Sequence, residues 1–593
     1  MNSWVPPAAL FIAGSLLIPL LQGRSRQALL LIIPVLAFYN LLNMTVGTAW
    51  TVDFLDYELV FARVDRLSLV FGYIFVIMSF AGALFALRIR EAAEHVAAFL
   101  YVGGSLGVVF AGDYLTLFIF WELMAVASSY LIWARRTHAS RRAGFRYLLV
   151  HLTGGLFLLA GIVIHASATG SFEFGYLGLG GLASWLILIG FALNAAVPPL
   201  SAWLSDAYPE ATVTGAVFLC AFTTKTSVYV LARAFPGAEL LVWAGAAMML
   251  YGIIYAILEN DVRRVLAYSI ISQVGYMVIG IGIGTELAIN GAVAHAFVHI
   301  LYKSLLFMSA GGVLLMTGRS RLTGLGGLHR TMPITLILLS VGAATISAFP
   351  LTGAFVSKSM IIAAAGEEHL SVIWHALILA SAGGVLYVGL KIPYFIFFGE
   401  DSGLRPAEPP ANMMLAMALM ACLCVLVGVY PAVLYRILPY PVHFAPYTGS
   451  HVISQLQTLF FSALAFFVLL KYMKSANTIS LDTDWFYRKG AAGFMWLVYN
   501  PFTRFGAWGT RVVFDAVPSS VIRLSRNPLA VWKIMLDTVV LGFSGGSRAV
   551  ELERRIRREK EIYPGDIIKH WPIGSTVLWV VIFLLACLVV YYL

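Results

Sequence analysis

Apolar runs of membrane-spanning length follow one another along nearly the whole chain, and this constrains the fold more than any other feature. Sixteen lie near residues 8–22, 27–46, 66–87, 95–111, 113–133, 142–166, 180–205, 212–233, 239–258, 264–283, 288–316, 333–366, 371–398, 411–435, 454–473 and 573–593. About 20 residues of helix cross a bilayer core. In lipid every backbone polar group must be satisfied internally, so runs of this kind have to be helices. Composition agrees: 60% of the 593 residues are hydrophobic and 11% charged, where a soluble domain has about 45–50% and about 25%. A soluble enzyme and a disordered chain are both excluded. The predicted class is an all-α polytopic membrane protein of about 16 transmembrane helices. The start, Met1-Asn2-Ser3-Trp4, has no basic n-region, so the first run reads as a retained span.

Charge orients the series. Numbered from an external N-terminus, the odd-to-even connections carry Arg24 and Arg26, Arg88 and Arg90, Arg135, Arg136, Arg141 and Arg142, Arg263 and Arg264, then Arg319, Arg321 and Arg330. The intervening connections are nearly free of Lys and Arg, and the hairpin-like stretch 47–64 carries Asp53, Asp56 and Glu58. By the positive-inside rule the arginine-rich side is cytoplasmic and both ends of the series face outward. The net charge of +10 is this bias, and nucleic acid is not an expected partner.

The stretch 474–572 departs from the pattern. It has 15 Lys/Arg against 9 Asp/Glu and is broken by Pro501, Pro518 and Pro528. Phe494-Met495-Trp496-Leu497-Val498 and Ile534-Met535-Leu536 favour an amphipathic segment lying along the cytoplasmic interface. The patch Glu551–Lys560 reads as a solvated helix face toward lipid phosphates or a partner.

Two spans look broken at proline: the seventh at Ala196-Val197-Pro198-Pro199 and the twelfth at Ala348-Phe349-Pro350-Leu351-Thr352-Gly353. Interrupted spans five apart are what two inverted five-helix repeats produce, and such pairs point to a transport site. The expected organisation is 1–94, N-terminal helices and external hairpin; 95–258 and 259–400, the two half-channels; 401–473, peripheral helices; 474–572, the lateral segment; and 573–593, a C-terminal anchoring helix.

Ionisable side chains inside a span cost about 2.5–3.5 kcal/mol on insertion scales, so each suggests function. Glu122 lies midway along the fifth span and Lys225 within the eighth. Burial penalises the charged form of lysine, which lets it gain and lose a proton; a static ion pair is the structural alternative. His295, His299 and Lys303 stand at i, i+4 and i+8 of the eleventh span, on one face. That suits a proton wire, whereas zinc would need a third ligand. Lys358 follows the twelfth-span break, and Lys391 lies in the thirteenth nearer a membrane face. His151 and His165 read as structural. No catalytic residue, cofactor site or metal site is expected. Cys220, Cys422, Cys424 and Cys587 sit in apolar runs without CxxC spacing, and neither a P-loop nor a strand-led glycine fingerprint occurs.

Several stretches together resemble the antiporter-like membrane subunits of respiratory complex I (L, M and N type), Mrp-type multisubunit sodium/proton antiporters (D and A type) and membrane-bound hydrogenase arms. They are Phe120-Trp121-Glu122-Leu123-Met124, Trp203-Leu204-Ser205-Asp206-Ala207, Thr224-Lys225-Thr226-Ser227-Val228-Tyr229, Asp261–Ser269, the His295/His299/Lys303 helix and Thr352-Gly353-Ala354-Phe355-Val356-Ser357-Lys358. The likeness spans roughly residues 60–400. It implies a fifth-span glutamate paired with a seventh-span lysine, an eighth-span lysine linked to the eleventh span, and a charged twelfth-span residue at the exit. The lateral segment and last span resemble those of the L type, and Leu481–Arg488 a stretch of the Mrp D type. Where the seventh-span lysine belongs, in Gly190–Ala196, this chain has Asn194, and the His or Pro that the resemblance implies near Ser201 and Ser205 is serine here.

The expected function is translocation of protons, or protons against sodium, by one subunit of a multi-subunit complex in the bacterial inner membrane. Partners would be other membrane subunits and lipid, and any redox chemistry would belong to those subunits. Two alternatives stand beside it. One is a non-conducting structural or coupling role, motivated by Asn194. The other is proton-coupled uptake of inorganic carbon together with a soluble partner.

Overall fold

Proline decides where the seventh and twelfth spans stop being helical, because it lacks the amide that continues the ladder. In the computed structural model, which describes residues 4–54, 57–473, 482, 484–563 and 573–592, the seventh span is helical over Leu182–Asn194 and resumes at Ala202–Ala207. The twelfth is helical over Pro333–Ile346 and resumes at Gly353–Glu367. The two interruptions close alike. Ala196 and Ala348 take left-handed backbone angles, φ 61° and 54°. Ala196 N–H donates to Leu193 O and Val197 N–H to Ala192 O; Ala348 and Phe349 donate likewise to Thr345 O and Ala344 O. This is the ending that usually recruits glycine, here built on alanine at a cost of about 1–2 kcal/mol.

The eighth span is also interrupted, against the expectation of a continuous helix. Helix Val213–Leu219 ends, Cys220–Phe222 leave the ladder, and Thr223–Ala234 follows. No proline or glycine marks that place.

Among the described residues, twelve helices have the length and hydropathy to cross a membrane. The remaining four apolar runs fall on shorter apolar helices: Pro7–Leu20, Leu182–Asn194, Pro333–Ile346 and Val577–Tyr591. The sixth and eleventh spans, His138–Thr169 and Glu286–Thr317, are each 32 residues long, start on a capping threonine and end on a left-handed glycine, Gly170 or Gly318. The ninth and tenth, Glu239–Leu258 and Val262–Ile283, approach closely at glycine: a Cβ on Gly245 would lie 2.6 Å from the Gly275 carbonyl. Small residues permit such contact in lipid, where packing substitutes for the hydrophobic effect. Strands Gly47–Phe54 and Tyr57–Val64 pair antiparallel as a hairpin. Asp56 and the expected segments at 474–481 and 564–572 lie outside the described residues.

The chain divides into two compact units, Met1–Trp485 and Phe486–Leu593. In the second, helices Pro528–Gly542 and Ser547–Ile562 are joined by Lys533–Glu559 (3.5 Å) and Arg555–Asp537 (3.7 Å) ion pairs. Its Phe494, Trp496, Phe502, Phe505 and Trp508 are exposed.

Candidate functional site

Three of the buried lysines, Lys225, Lys358 and Lys391, donate to carbonyls at helix ends. Lys225 Nζ donates to the Cys220 carbonyl, where the first half of the eighth span stops (2.7 Å), and to Thr224 Oγ1 (3.1 Å). Lys358 Nζ donates to the Ile346 carbonyl, the last of the first twelfth-span helix (2.8 Å). Lys391 Nζ takes the Ile257 and Glu259 carbonyls at the end of the ninth span (2.6 and 2.8 Å). Carbonyls at a helix C-terminus have no intrahelical donor and carry partial negative charge, worth about 0.3–2 kcal/mol to a cation. Losing one partner of a buried ion pair costs about 3–5 kcal/mol. Among the described residues Lys225, Lys303 and Lys358 form no ion pair with a carboxylate. A helix end holds an amine more loosely than a carboxylate does, which suits proton exchange.

From Lys225 the polar row continues into the eleventh span. Cys220 Sγ lies 3.7 Å from Ser304 Oγ, beside Lys303, whose ammonium donates to Ser269 Oγ. One turn on, His299 has both ring nitrogens buried without a partner, and its ring meets Tyr302 edge-on at 5.1 Å. The His295 ring is 6.1 Å further, with Nδ1 3.0 Å from Ser357 Oγ. Tyr276 closes the row, its ring 5.8 Å from His295 and 5.0 Å from Lys358 Nζ. All five ionisable groups are fully buried or nearly so. His295 Nε2 and both His299 nitrogens have no hydrogen-bond partner among the described residues, and buried polar atoms of this kind are where water is commonly found. Lys391 sits apart from the row, at the arginine-rich end of the ninth span.

Beyond Lys358 a cleft of about 370 Å³ opens, lined by Ser359, Thr448, His451, Ser454, Gln455 and Thr458. Gln455 Nε2 reaches the Ser347 carbonyl of the twelfth-span break at 3.1 Å. The polar stripe His451, Gln455, Thr458 was not among the expected site residues, although its helical spacing along the fifteenth span is a signal the sequence carries.

Glu122 meets none of the other predicted groups. Its Oε1 has no hydrogen-bond partner among the described residues and rests over Gly155 of the sixth span, where a Cβ would overlap it. Asn194 is fully buried, and both amide atoms lack a partner among the described residues. At the arginine-rich end the structure adds a residue the sequence did not single out as a site. Buried Asp482 accepts from the Tyr251 and Tyr268 hydroxyls and from Ser205 Oγ (3.3 Å), beside the Arg146–Asp206 ion pair (2.7 Å). A carboxylate after the last core span carries no local pattern that reveals such a partner set. Among the described residues no three His, Cys, Asp or Glu side chains converge as metal ligands.

The family model "NADH:quinone oxidoreductase/Mrp antiporter, TM" matches residues 111–383, which hold Glu122, Lys225, the eleventh-span row and Lys358. The chain is 32% identical over 403 residues to the A/B component of a probable K⁺/H⁺ antiporter of Rhizobium meliloti, covering 62% of this chain and 40% of that relative's length. It is 31% identical over 344 residues to the D component of a Na⁺/H⁺ antiporter of Alkalihalophilus pseudofirmus, covering 54% of this chain and 68% of that protein. A structure of the Mrp complex from Dietzia sp. DQ12-45-1b holds a chain with the same fold, at TM-score 0.65 and 20% identity over 73% of this chain and 95% of that one. The chain is a member of the NADH:quinone oxidoreductase/Mrp antiporter transmembrane family.

Proposed function

We propose that the chain translocates protons, alone or in exchange for sodium, as one membrane subunit of a hetero-oligomeric complex in a bacterial inner membrane. The observation that carries this reading is the row Lys225–Lys303–His299–His295–Lys358, buried and neutralised by no carboxylate among the described residues. Lys391, apart from that row, would supply it from the arginine-rich side, and the cleft beside Ser359 would be its opposite end. Glu122 stands on a fifth-span face flanked by exposed Ile119 and Val126, which suits contact with a neighbouring subunit. The matched breaks at Ala196 and Ala348 support two inverted half-channels at 95–258 and 259–400. The exposed aromatic face of the second unit supports an interfacial lateral segment ending in an anchor.

The test is proton flux in proteoliposomes containing the purified chain with its co-purifying subunits. Lys225→Ala and Lys358→Ala should each abolish flux while assembly is kept; flux in both would overturn the reading. Asn194 favours a second reading, a non-conducting coupling role, because an amide cannot carry a proton where a lysine is expected. Flux that depends on Glu122 removes it.

A further inference from the structure

We propose that the groove between the second and third spans binds one anionic phospholipid, its phosphate among Arg26, Arg88 and Arg90 and an acyl chain against Phe38 and Phe80. The site is separate from the ion path and does not depend on it.

The second span is helical over Gly23–Leu42 and the third over Arg66–Ala86. At the arginine-rich end of this pair a cleft of about 630 Å³ opens, lined by Arg26, Arg88, Arg90 and His95 and by no Asp or Glu. Among the described residues none of the three arginines pairs with a carboxylate. Like charges lining one cleft repel, and an anion among them removes that cost. The cleft is also built before anything binds. Arg26 donates from Nε to the Leu21 carbonyl (2.9 Å) and from Nη1 to the Arg90 carbonyl (2.8 Å). Gln27 Nε2 donates to the Leu87 carbonyl (3.1 Å), and His95 Nε2 lies 3.0 Å from the Ile89 carbonyl. The turn 87–90 is thereby stitched to the second and fourth spans. Arg88 and Arg90 are exposed on it, and the guanidinium fork matches phosphate oxygens two at a time.

Deeper between the same two helices lies a second cleft of about 300 Å³. Pro34 and Phe38 of the second helix line it, with Val76 and Phe80 of the third and Leu419 and Leu423 of the fourteenth span, Ala411–Val429. All its lining side chains are apolar. The two clefts continue one another. Arg26, Leu30, Pro34 and Phe38 recur every four residues along the second helix, and Val76, Phe80 and Leu87 follow one stripe of the third. From Arg26 to Pro34 the helix rises about 12 Å, within the roughly 15 Å half-thickness of a bilayer core. Ile32, Val35 and Leu36 beside the groove are exposed, so it opens toward the bilayer. A basic cleft above an apolar one fits a molecule with an anionic head and an apolar tail; basic pockets between spans hold lipid phosphates in this way. A free anion would occupy the upper cleft alone.

The test is native mass spectrometry of the purified complex in mild detergent supplied with equal phosphatidylglycerol and phosphatidylcholine. Arg88→Gln/Arg90→Gln leaves the Arg26 and Gln27 hydrogen bonds to backbone in place. Each arginine near a membrane surface contributes about fivefold in affinity, so this variant should bind about 25 times more weakly and retain one phosphatidylglycerol fewer than wild type. Leu419→Trp/Leu423→Trp fills the deeper cleft and should lose the same lipid while the arginines remain. Equal phosphatidylglycerol counts in wild type and the arginine variant overturn the proposal. Loss in the arginine variant with full retention in the tryptophan variant, or thermal stabilisation by inorganic phosphate as large as that by phosphatidylglycerol, would make the occupant a free anion and also overturn it. A photoreactive benzoylphenylalanine in place of Val35 should yield no polypeptide adduct; crosslinking to a neighbouring subunit would show that protein covers the groove instead.

Discussion

Lys358 reaches back across the interruption of its own span and donates from Nζ to the Ile346 carbonyl at 2.8 Å. Lys225 does the same across the eighth-span interruption, to the Cys220 carbonyl at 2.7 Å. The breaks therefore do two things at once. They free carbonyls that would be costly in lipid, about 1–3 kcal/mol each when left unsatisfied, and they create the weak anionic ends that hold an ammonium without a counter-ion. A carboxylate in the same place would fix the proton; a helix end leaves it exchangeable.

Lys358→Met should separate these two roles. Methionine keeps the volume but neither charge nor donor, leaving the Ile346 carbonyl without its lysine. We expect thermal stability in detergent to fall by about 1–3 kcal/mol and proton flux to be lost. Flux retained in the presence of the stability loss would show that Lys358 serves only as a cap.

Gly155→Ala tests the seat of Glu122 without removing any titratable group. The added methyl would overlap Oε1, the far end of a flexible side chain, so the carboxyl must swing away while the helix stays intact. Assembly and melting should change little, by less than about 1 kcal/mol, while flux falls at least as far as in Glu122→Asp. Wild-type flux in Gly155→Ala would mean that the carboxyl's position over the sixth span is unimportant.

The elements that proline and charge control were legible in the sequence. Pro198, Pro199 and Pro350 located two breaks, and the helical spacing of His295, His299 and Lys303 put them on one face, as they are found. The eighth-span break was not legible, because Cys220-Ala221-Phe222 contains no breaker; Lys225 Nζ satisfies the Cys220 carbonyl freed there.

Asp65 gives a pH prediction outside the membrane core. It caps the third span, accepting from Ser68 N–H at 2.9 Å, and pairs with Arg233 at 2.8 Å. Burial pushes its carboxyl up, but the Arg233 guanidinium and the Ser68 bond outweigh that and hold it below its ordinary value. A carboxyl lowered in the folded state stabilises above the unfolded value, about 3.9, and that contribution is lost as pH falls through the folded one. Melting of the detergent-solubilised protein should therefore drop below about pH 4, and Asp65→Asn should be less stable at pH 7 with a shallower acid limb. Parallel limbs in the two proteins would dissociate Asp65 from acid stability.

Asp482 ties the stretch after the last core span to three separate elements of the core: Ser205 on the resumed seventh span, Tyr251 on the ninth and Tyr268 on the tenth. Hydrogen bonds to a charged group contribute about 1.5–3 kcal/mol each, so the carboxylate adds a strong lock on the short helix Ala202–Ala207, beside the Arg146–Asp206 pair and the Trp203–Leu193 hydrogen bond. Asp482→Ala leaves the hydroxyls without their acceptor, and amide hydrogen exchange across Ala202–Ala207 should rise by at least about tenfold, the equivalent of roughly 1.4 kcal/mol of local opening. Asp482→Asn keeps an acceptor oxygen and should show a smaller rise. Exchange unchanged in Asp482→Ala would mean that the helix is held by the Arg146–Asp206 pair and core packing alone, and that the carboxylate can be removed without loosening the seventh span.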